Sequence, residues 1–103
     1  MSFEWRGGQA RVRRRSVDTT GREFPFAPAG ASKWLRLRNL SSTGAEVVRV
    51  YFTAEDFTAG STVNYLELRA NDILREPIEA DRIWMKSESG TPTVEITVLH
   101  RRG

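Results

Sequence analysis

Residues 45–53, A-E-V-V-R-V-Y-F-T, decide the fold class of this chain of 103 residues. Successive side chains of an extended strand point to opposite faces. One face would therefore carry Val48, Val50 and Phe52, and the other would carry Val47, Arg49 and Tyr51. Branched and aromatic side chains at this density are typical of strands rather than helices. The stretch predicts a β-strand with at least one buried face.

The same two-residue alternation recurs on both sides of this stretch. It is found in K-W-L-R-L-R-N-L at 33–40, V-N-Y-L-E-L-R at 63–69, R-I-W-M-K-S at 82–87 and T-V-E-I-T-V-L-H at 93–100. Turn-forming residues lie between these segments, at Gly44, Asn71-Asp72 and Gly90, and Pro77 favours a sheet edge or a connection. The sequence predicts an all-β fold of five or six strands over residues 32–103. We expect a small antiparallel β-sandwich or a jelly-roll-like barrel.

The first 31 residues predict an extended basic N-terminal arm. Gly7-Gly8 would interrupt a regular element, and Pro25 and Pro28 favour extended chain. Between them, Q-A-R-V-R-R-R-S-V at 9–17 allows a short strand. Few aliphatic side chains precede Leu35. Phe24 and Phe26 are therefore interpreted as apolar anchors of the arm, with the ordered body beginning near Ser32.

The net charge of +3 is unevenly distributed along the chain. Residues 1–22 carry six arginines against two acids, whereas residues 23–100 carry eight basic and eleven acidic groups. Such a distribution predicts an electronegative partner, which would be a protein, nucleic acid or a neighbouring copy. The sharpest cluster consists of Arg11, Arg13, Arg14 and Arg15, near Trp5.

Three interpretations of this arginine cluster remain open. It would contact phosphates, with Trp5 stacking on bases. Alternatively, it would dock on an acidic protein surface together with Trp5, Phe24 and Phe26. In the third interpretation, the charge of the cluster protects a solvated strand edge from aggregation.

The composition argues against most enzymes. The chain has no cysteine, and its single histidine, His100, lies near the C-terminus. This excludes thiol catalysis and two-histidine metal sites, and no G-x-S-x-G motif or phosphate-binding glycine loop is present. Glu55-Asp56 and Asp72 lack the spacing of a calcium loop. The sequence therefore predicts no catalytic residues, no cofactor and no metal. We also expect no membrane partner, because the longest apolar run is too short to span a bilayer.

Two tryptophans, Trp34 and Trp84, fall on the strand faces opposite the buried aliphatics. These positions indicate an interface or a core role, because tryptophan is enriched in interfaces. A platform that stacks on sugars is the alternative.

Residues 33–99 resemble small virion proteins of bacteriophages. The resemblance lies in W-L-R-L-R-N-L-S-S-T-G-A-E-V-V-R-V-Y-F, in L-E-L-R-A-N-D-I-L and in R-I-W-M-K-S-E-S-G-T-P-T-V-E-I-T-V-L. It implies a β-sandwich that decorates or cements a capsid, located in the virion, with the major capsid protein or another virion protein as partner. Copies on the lattice would also contact one another as a homo-oligomer.

The functional hypothesis is therefore a non-enzymatic capsid decoration protein. A head–tail or tail accessory subunit is the alternative within the same class. A nucleic-acid-binding module that uses the arginine cluster is the alternative from another class, and a sugar-binding sandwich comes last.

Overall fold

A computed structural model describes residues 8–26, 34–60, 64–77 and 80–101 of the chain, without the side chains of 8–11, 100 and 101. Within these ranges eight strands and one short helix follow in order. They are β1 (Gly8–Ser16), β2 (Arg22–Pro25), β3 (Trp34–Asn39), β4 (Val48–Tyr51), α1 (Ala54–Ala59), β5 (Leu66–Leu68), β6 (Ile73–Glu76), β7 (Arg82–Ser87) and β8 (Thr93–Arg101).

The strands form two four-stranded sheets in which every neighbouring pair is antiparallel. The first sheet has the order β1-β8-β3-β6, and the second sheet has the order β2-β7-β4-β5. The prediction of an all-β antiparallel fold is confirmed. Six of the eight strands lie where the alternating segments predicted strands, an edge or a connection. β1 coincides with the short strand that the sequence allows at 9–17, and β2 is additional.

Alternating side chains of both sheets meet in a common core. The central strands β8 and β7 contribute Val94, Ile96, Val98, Ile83 and Met85, and β3 and β4 contribute Leu35, Leu37, Val48 and Val50. These side chains are at most 5% exposed. The inward faces predicted for the four strands are therefore confirmed. Burial of aliphatic side chains at this level supplies most of the stabilisation of a small sandwich.

The prediction of a separate N-terminal arm is wrong for residues 8–26. All nine residues of β1 pair with β8, and β2 pairs with β7. Val17, Phe24 and Phe26 are buried in the core between the sheets. The boundary near Ser32 therefore divides one core rather than separating an arm from a body. β2 has only four residues and one buried side chain, which is too short for a visible alternation.

The turn between β1 and β2 depends on Gly21. Its backbone has φ +77°, and its N–H donates to the Asp18 carboxylate at 2.7 Å. A Cβ at this position would lie 2.5 Å from Cβ of Lys86 and 2.7 Å from the carbonyl oxygen of Met85. Both the left-handed conformation and the close approach to β7 require glycine.

Asn39, at the end of β3, joins three parts of the chain. The side chain is fully buried, and its Nδ2 donates to the carbonyl oxygens of Glu46 at 2.8 Å and Leu68 at 3.0 Å. Its Oδ1 accepts from the N–H of Ser41 at 3.0 Å, and its carbonyl oxygen accepts from the N–H of Asn71 at 2.8 Å. One buried amide thus satisfies backbone groups that would otherwise lack partners.

Candidate functional site

The two outer faces of the sandwich differ in how they are covered. On the second sheet, Tyr51 is fully buried although it faces away from the core. Its ring contacts Phe57 of α1 edge-on, with centroids 5.7 Å apart, and lies 5.8 Å from the ring of Tyr65. The short helix and these aromatic rings therefore cover part of this face.

The cations of the second sheet have partners within the same chain. Lys86 lies 5.8 Å from the ring centroid of Tyr51, and the Arg49 guanidinium lies 5.0 Å from that of Tyr65. Arg49 Nε also donates to Glu88 at 3.0 Å, and this hydrogen bond is the main cause that raises the pKa of Arg49. The charge of Arg49 is thus compensated by Glu88, and Lys86 lies against an aromatic ring.

The outer face of the first sheet carries a different set of side chains. Residues directly opposite each other on antiparallel strands lie on the same face. The register places the row Val12, Thr97, Arg36 and Arg75 beside the row Arg14, Glu95, Arg38 and Ile73, with Trp34 opposite Leu99 at one end. We call this surface the arginine face.

One carboxylate lies between two of the four arginines of this face. Arg14 contacts Glu95 at 3.2 Å, and Arg36 contacts the other oxygen of Glu95 at 3.1 Å. The hydrogen bonds from Arg14 and then Arg36 hold the pKa of Glu95 below its usual range. Glu95 is the single acidic side chain that the described residues contribute to this face.

The remaining arginines leave the face with an excess of positive charge. Arg75 lies directly opposite Arg36 in the register, and like charges in such positions destabilise a sheet. Nε of Arg38 is buried and has no hydrogen-bond partner among the described residues. An anionic surface placed on this face would compensate the guanidinium charges, but it would not reach the buried Nε of Arg38.

Apolar side chains flank the arginines. Val12 is 59% exposed, Ile73 is 48% exposed and Trp34 is 39% exposed. Arginine and tryptophan are enriched among the side chains that dominate protein–protein interfaces. The arginine face thus combines cations with exposed apolar area, as a protein-binding surface requires.

The structure distributes the predicted partner-binding residues over three environments. Arg14 lies on the arginine face, whereas Arg13 and Arg15 are exposed on the other side of β1, opposite Ile96 and Val94. The backbone of Arg11 belongs to β1, and its side chain is outside the description. Trp5 lies outside the described residues.

The prediction that Phe24 and Phe26 anchor an arm to a partner is wrong. Their side chains are 3% and 6% exposed and belong to the core cluster. Phe24 lies on β2 opposite Ile83, and the Arg22 guanidinium covers its ring at 4.7 Å. Both phenylalanines stabilise the fold and present little surface to a partner.

A sugar platform formed by Trp34 and Trp84 is also excluded. Trp34 lies on the outer face of the first sheet, whereas Trp84 lies on the outer face of the second sheet, opposite Tyr51 in the register. The whole core separates the two tryptophans. They therefore cannot stack on one ligand.

Most of the arginine face cannot be recognised in the sequence. No local pattern marks Arg36, Arg38, Arg75 and Glu95 as one surface, and the strand pattern groups Trp34 with Trp84 instead. The alternation of Arg36 and Arg38 with buried leucines already indicated an outward direction. The missing information was the strand order, which brings Arg14 and Arg75 beside this strand pair from distant parts of the chain.

The candidate calcium ligands have structural roles. Asp56 accepts from the hydroxyl of Thr53, the N-cap of α1, at 2.9 Å, and Asp72 accepts from the N–H of Arg69 at 2.9 Å. The described residues contain no group of three or more metal-ligating side chains. In the same part of the chain, no helix has the length and apolarity needed to cross a membrane.

Comparison with known proteins gives a structural likeness alone. No family model matches the chain, and no curated protein matches it. A solved structure of a Bacillus endospore appendage, described as belonging to a novel family of disulfide-linked pili, is similar with a TM-score of 0.56 and 9% sequence identity. The alignment covers 93% of this chain and 88% of that one. At this identity the likeness establishes a shared small β-rich fold.

Proposed function

We propose that this chain is a non-enzymatic structural protein of a virion. It acts as a capsid decoration or cement protein that docks its arginine face on an acidic region of the capsid surface. The observation that carries the proposal is the arginine face itself, with four arginines, one glutamate and three exposed apolar side chains on one sheet. A head–tail or tail accessory subunit would use the same face on a different virion protein.

The cations of the two sheets differ in their partners, and this difference supports docking through the arginine face. On the second sheet Arg49 pairs with Glu88 and Lys86 contacts the ring of Tyr51, whereas on the first sheet neither Arg38 nor Arg75 has an ion pair or a ring contact with a described residue. Desolvation of a charge is costly unless it is paired on binding. An acidic partner surface supplies that pairing. Many copies on one lattice would also raise each other's effective concentration.

A fibre subunit that assembles with copies of itself is the second candidate. The observation that favours it is the structural likeness to a pilus protein over 93% of the chain. Because this chain has no cysteine, such a fibre would have to hold together without disulfide bonds. Size-exclusion chromatography with light scattering at increasing concentration tests this candidate directly.

Co-sedimentation with undecorated capsids of the virus that carries this gene tests the main proposal. We expect saturable binding that Arg75→Glu weakens by about thirtyfold or more, since loss of a dominant interface residue costs at least about 2 kcal/mol. Arg69→Glu is the matched control, because Arg69 is an exposed arginine whose ion pair with Glu67 lies away from the arginine face. Increasing salt should weaken wild-type binding more than binding of the Arg75 variant.

Two results would overturn the proposal. In the first, neither the wild-type protein nor the control sediments with capsids. In the second, the protein binds DNA of mixed sequence with a steep salt dependence and ignores capsids, which would establish the nucleic-acid-binding alternative.

A further inference from the structure

The β1 strand forms an unusually long open edge of the first sheet. It has nine residues, whereas the other edge strands β2, β5 and β6 have four, three and four. Within the described part of the chain, β1 pairs with β8 alone. Alternate N–H and C=O groups along its other side point away from β8, and no other described strand pairs with them.

Alternate side chains of β1 project to opposite faces of the first sheet. Arg13 and Arg15 are exposed on the side that also carries Ile96 and Val94 of β8, because β1 lies at the sheet's margin. Val12, 59% exposed, and Arg14 project to the arginine face. Alternate residues of a strand are roughly 6.6 Å apart. A strand added here would thus meet two regularly spaced cations along one side.

Charge complementarity selects the occupant of the edge. A second copy of β1 in antiparallel pairing would bring arginines opposite arginines, which is destabilising. The other edge strands of this chain are poor complements, because each carries a single acid: Glu23, Glu67 or Glu76. An extended segment with acidic residues at alternate positions is the complement that fits.

We propose that the β1 edge accepts an extended acidic segment of the partner protein as a fifth strand of the first sheet. Carboxylates of the added strand lie opposite Arg13 and Arg15, and backbone hydrogen bonds continue the antiparallel or parallel ladder. The proposal rests on the proposed function, because the edge adjoins the arginine face through Val12 and Arg14 and would extend the same interface.

The test uses the full chain and a synthetic peptide in which glutamate alternates with valine and threonine. A peptide of the same composition with a central proline is the comparator, because proline interrupts a β-ladder. We expect the alternating peptide to bind about tenfold more tightly than the proline peptide. Hydrogen exchange should slow at alternate amides of β1, those whose N–H groups point away from β8.

Single substitutions then test the two arginines. Arg13→Ala and Arg15→Ala should each weaken peptide binding several-fold. Arg69→Ala, which removes an exposed arginine paired with Glu67 of β5 in the second sheet, is the matched control and should change peptide binding less than twofold. Equal binding of both peptides, or exchange protection outside β1, would overturn the proposal. Stronger protection of the same amides by a DNA oligonucleotide would also overturn it and assign the edge to nucleic acid.

The two proposals fail separately. If capsids bind through Arg75 and the peptide does not protect β1, the strand addition is wrong and the decoration function stands. If the peptide protects β1 while capsids do not bind, the decoration function is wrong and the edge serves another acidic partner.

Discussion

The substitution Phe24→Ala separates a core role for the N-terminal residues from a partner-binding role. Phe24 is 3% exposed and packs in the core from β2, the four-residue edge strand of the second sheet. Truncation of a buried phenylalanine to alanine costs about 3–5 kcal/mol, through lost transfer free energy and the cavity that remains. Loss of the contact with Arg22 adds to this cost.

The expected change in the melting temperature is large. A loss of 1 kcal/mol shifts the Tm of a domain of this size by about 4–8 °C, so the substitution should lower it by roughly 12–40 °C. The assay is thermal unfolding followed by circular dichroism. Val12→Ala is the matched control, because Val12 also lies in the N-terminal part of the chain but is 59% exposed.

One result would refute the reasoning about Phe24. If Phe24→Ala melts within a few degrees of Val12→Ala and the wild type, the phenylalanine does not belong to the core. If that variant also lost capsid binding while remaining folded, the interpretation of Phe24 as an anchor for a partner would be restored.

Three further predictions concern the buried amide, the first turn and the arginine face. Asn39→Leu should lower the free energy of unfolding in urea by several kcal/mol, because each buried backbone group left without a partner costs about 1–3 kcal/mol; an unchanged midpoint would contradict this. Gly21→Ala should reduce the Tm strongly, since the new Cβ would overlap the carbonyl oxygen of Met85; Gly44→Ala, with open space around it, is the control. The arginines depress the pKa of Glu95, so its ionised form stabilises the fold above the unfolded-state pKa of about 4.3. That contribution is lost as the pH falls through the lower folded pKa, and Glu95→Gln should flatten this part of the stability profile.

Periodicity in the sequence was sufficient for four strands, β3, β4, β7 and β8. Alternation around Leu35, Val50, Met85 and Ile96 predicted both the strand and its buried face, because each carries two or more inward aliphatic residues. Such a pattern is local, so it can be recognised without knowing which strands are neighbours.

The N-terminal strands lacked that local signal. β1 carries arginines where a central strand would carry aliphatic residues, and its order comes from pairing with β8, more than 80 residues away in sequence in the pair Ala10–Leu99. Phe24 is the single buried residue of β2. The arginine face could likewise not be predicted from the sequence, because it depends on the order of the four strands in the first sheet.

The placement of the central strands has a consequence for how this protein forms during synthesis. β7 and β8 lie in the middle of the two sheets, yet residues 82–101 are synthesised after all the other described strands. Until then β3 can pair only with β6 and β4 only with β5, while β1 and β2 lack their partner strands. Neither sheet can be completed before β7 and β8 are synthesised.

A nascent chain that stops before β8 therefore displays unpaired strand edges and an uncovered apolar side. Such chains are prone to aggregate until the long-range pairs close. Topologies dominated by distant pairings fold on a timescale of about milliseconds to seconds. Repulsion between the β1 arginines of different nascent chains would then reduce aggregation until β8 is synthesised. This role of the positive charge precedes any binding to a partner.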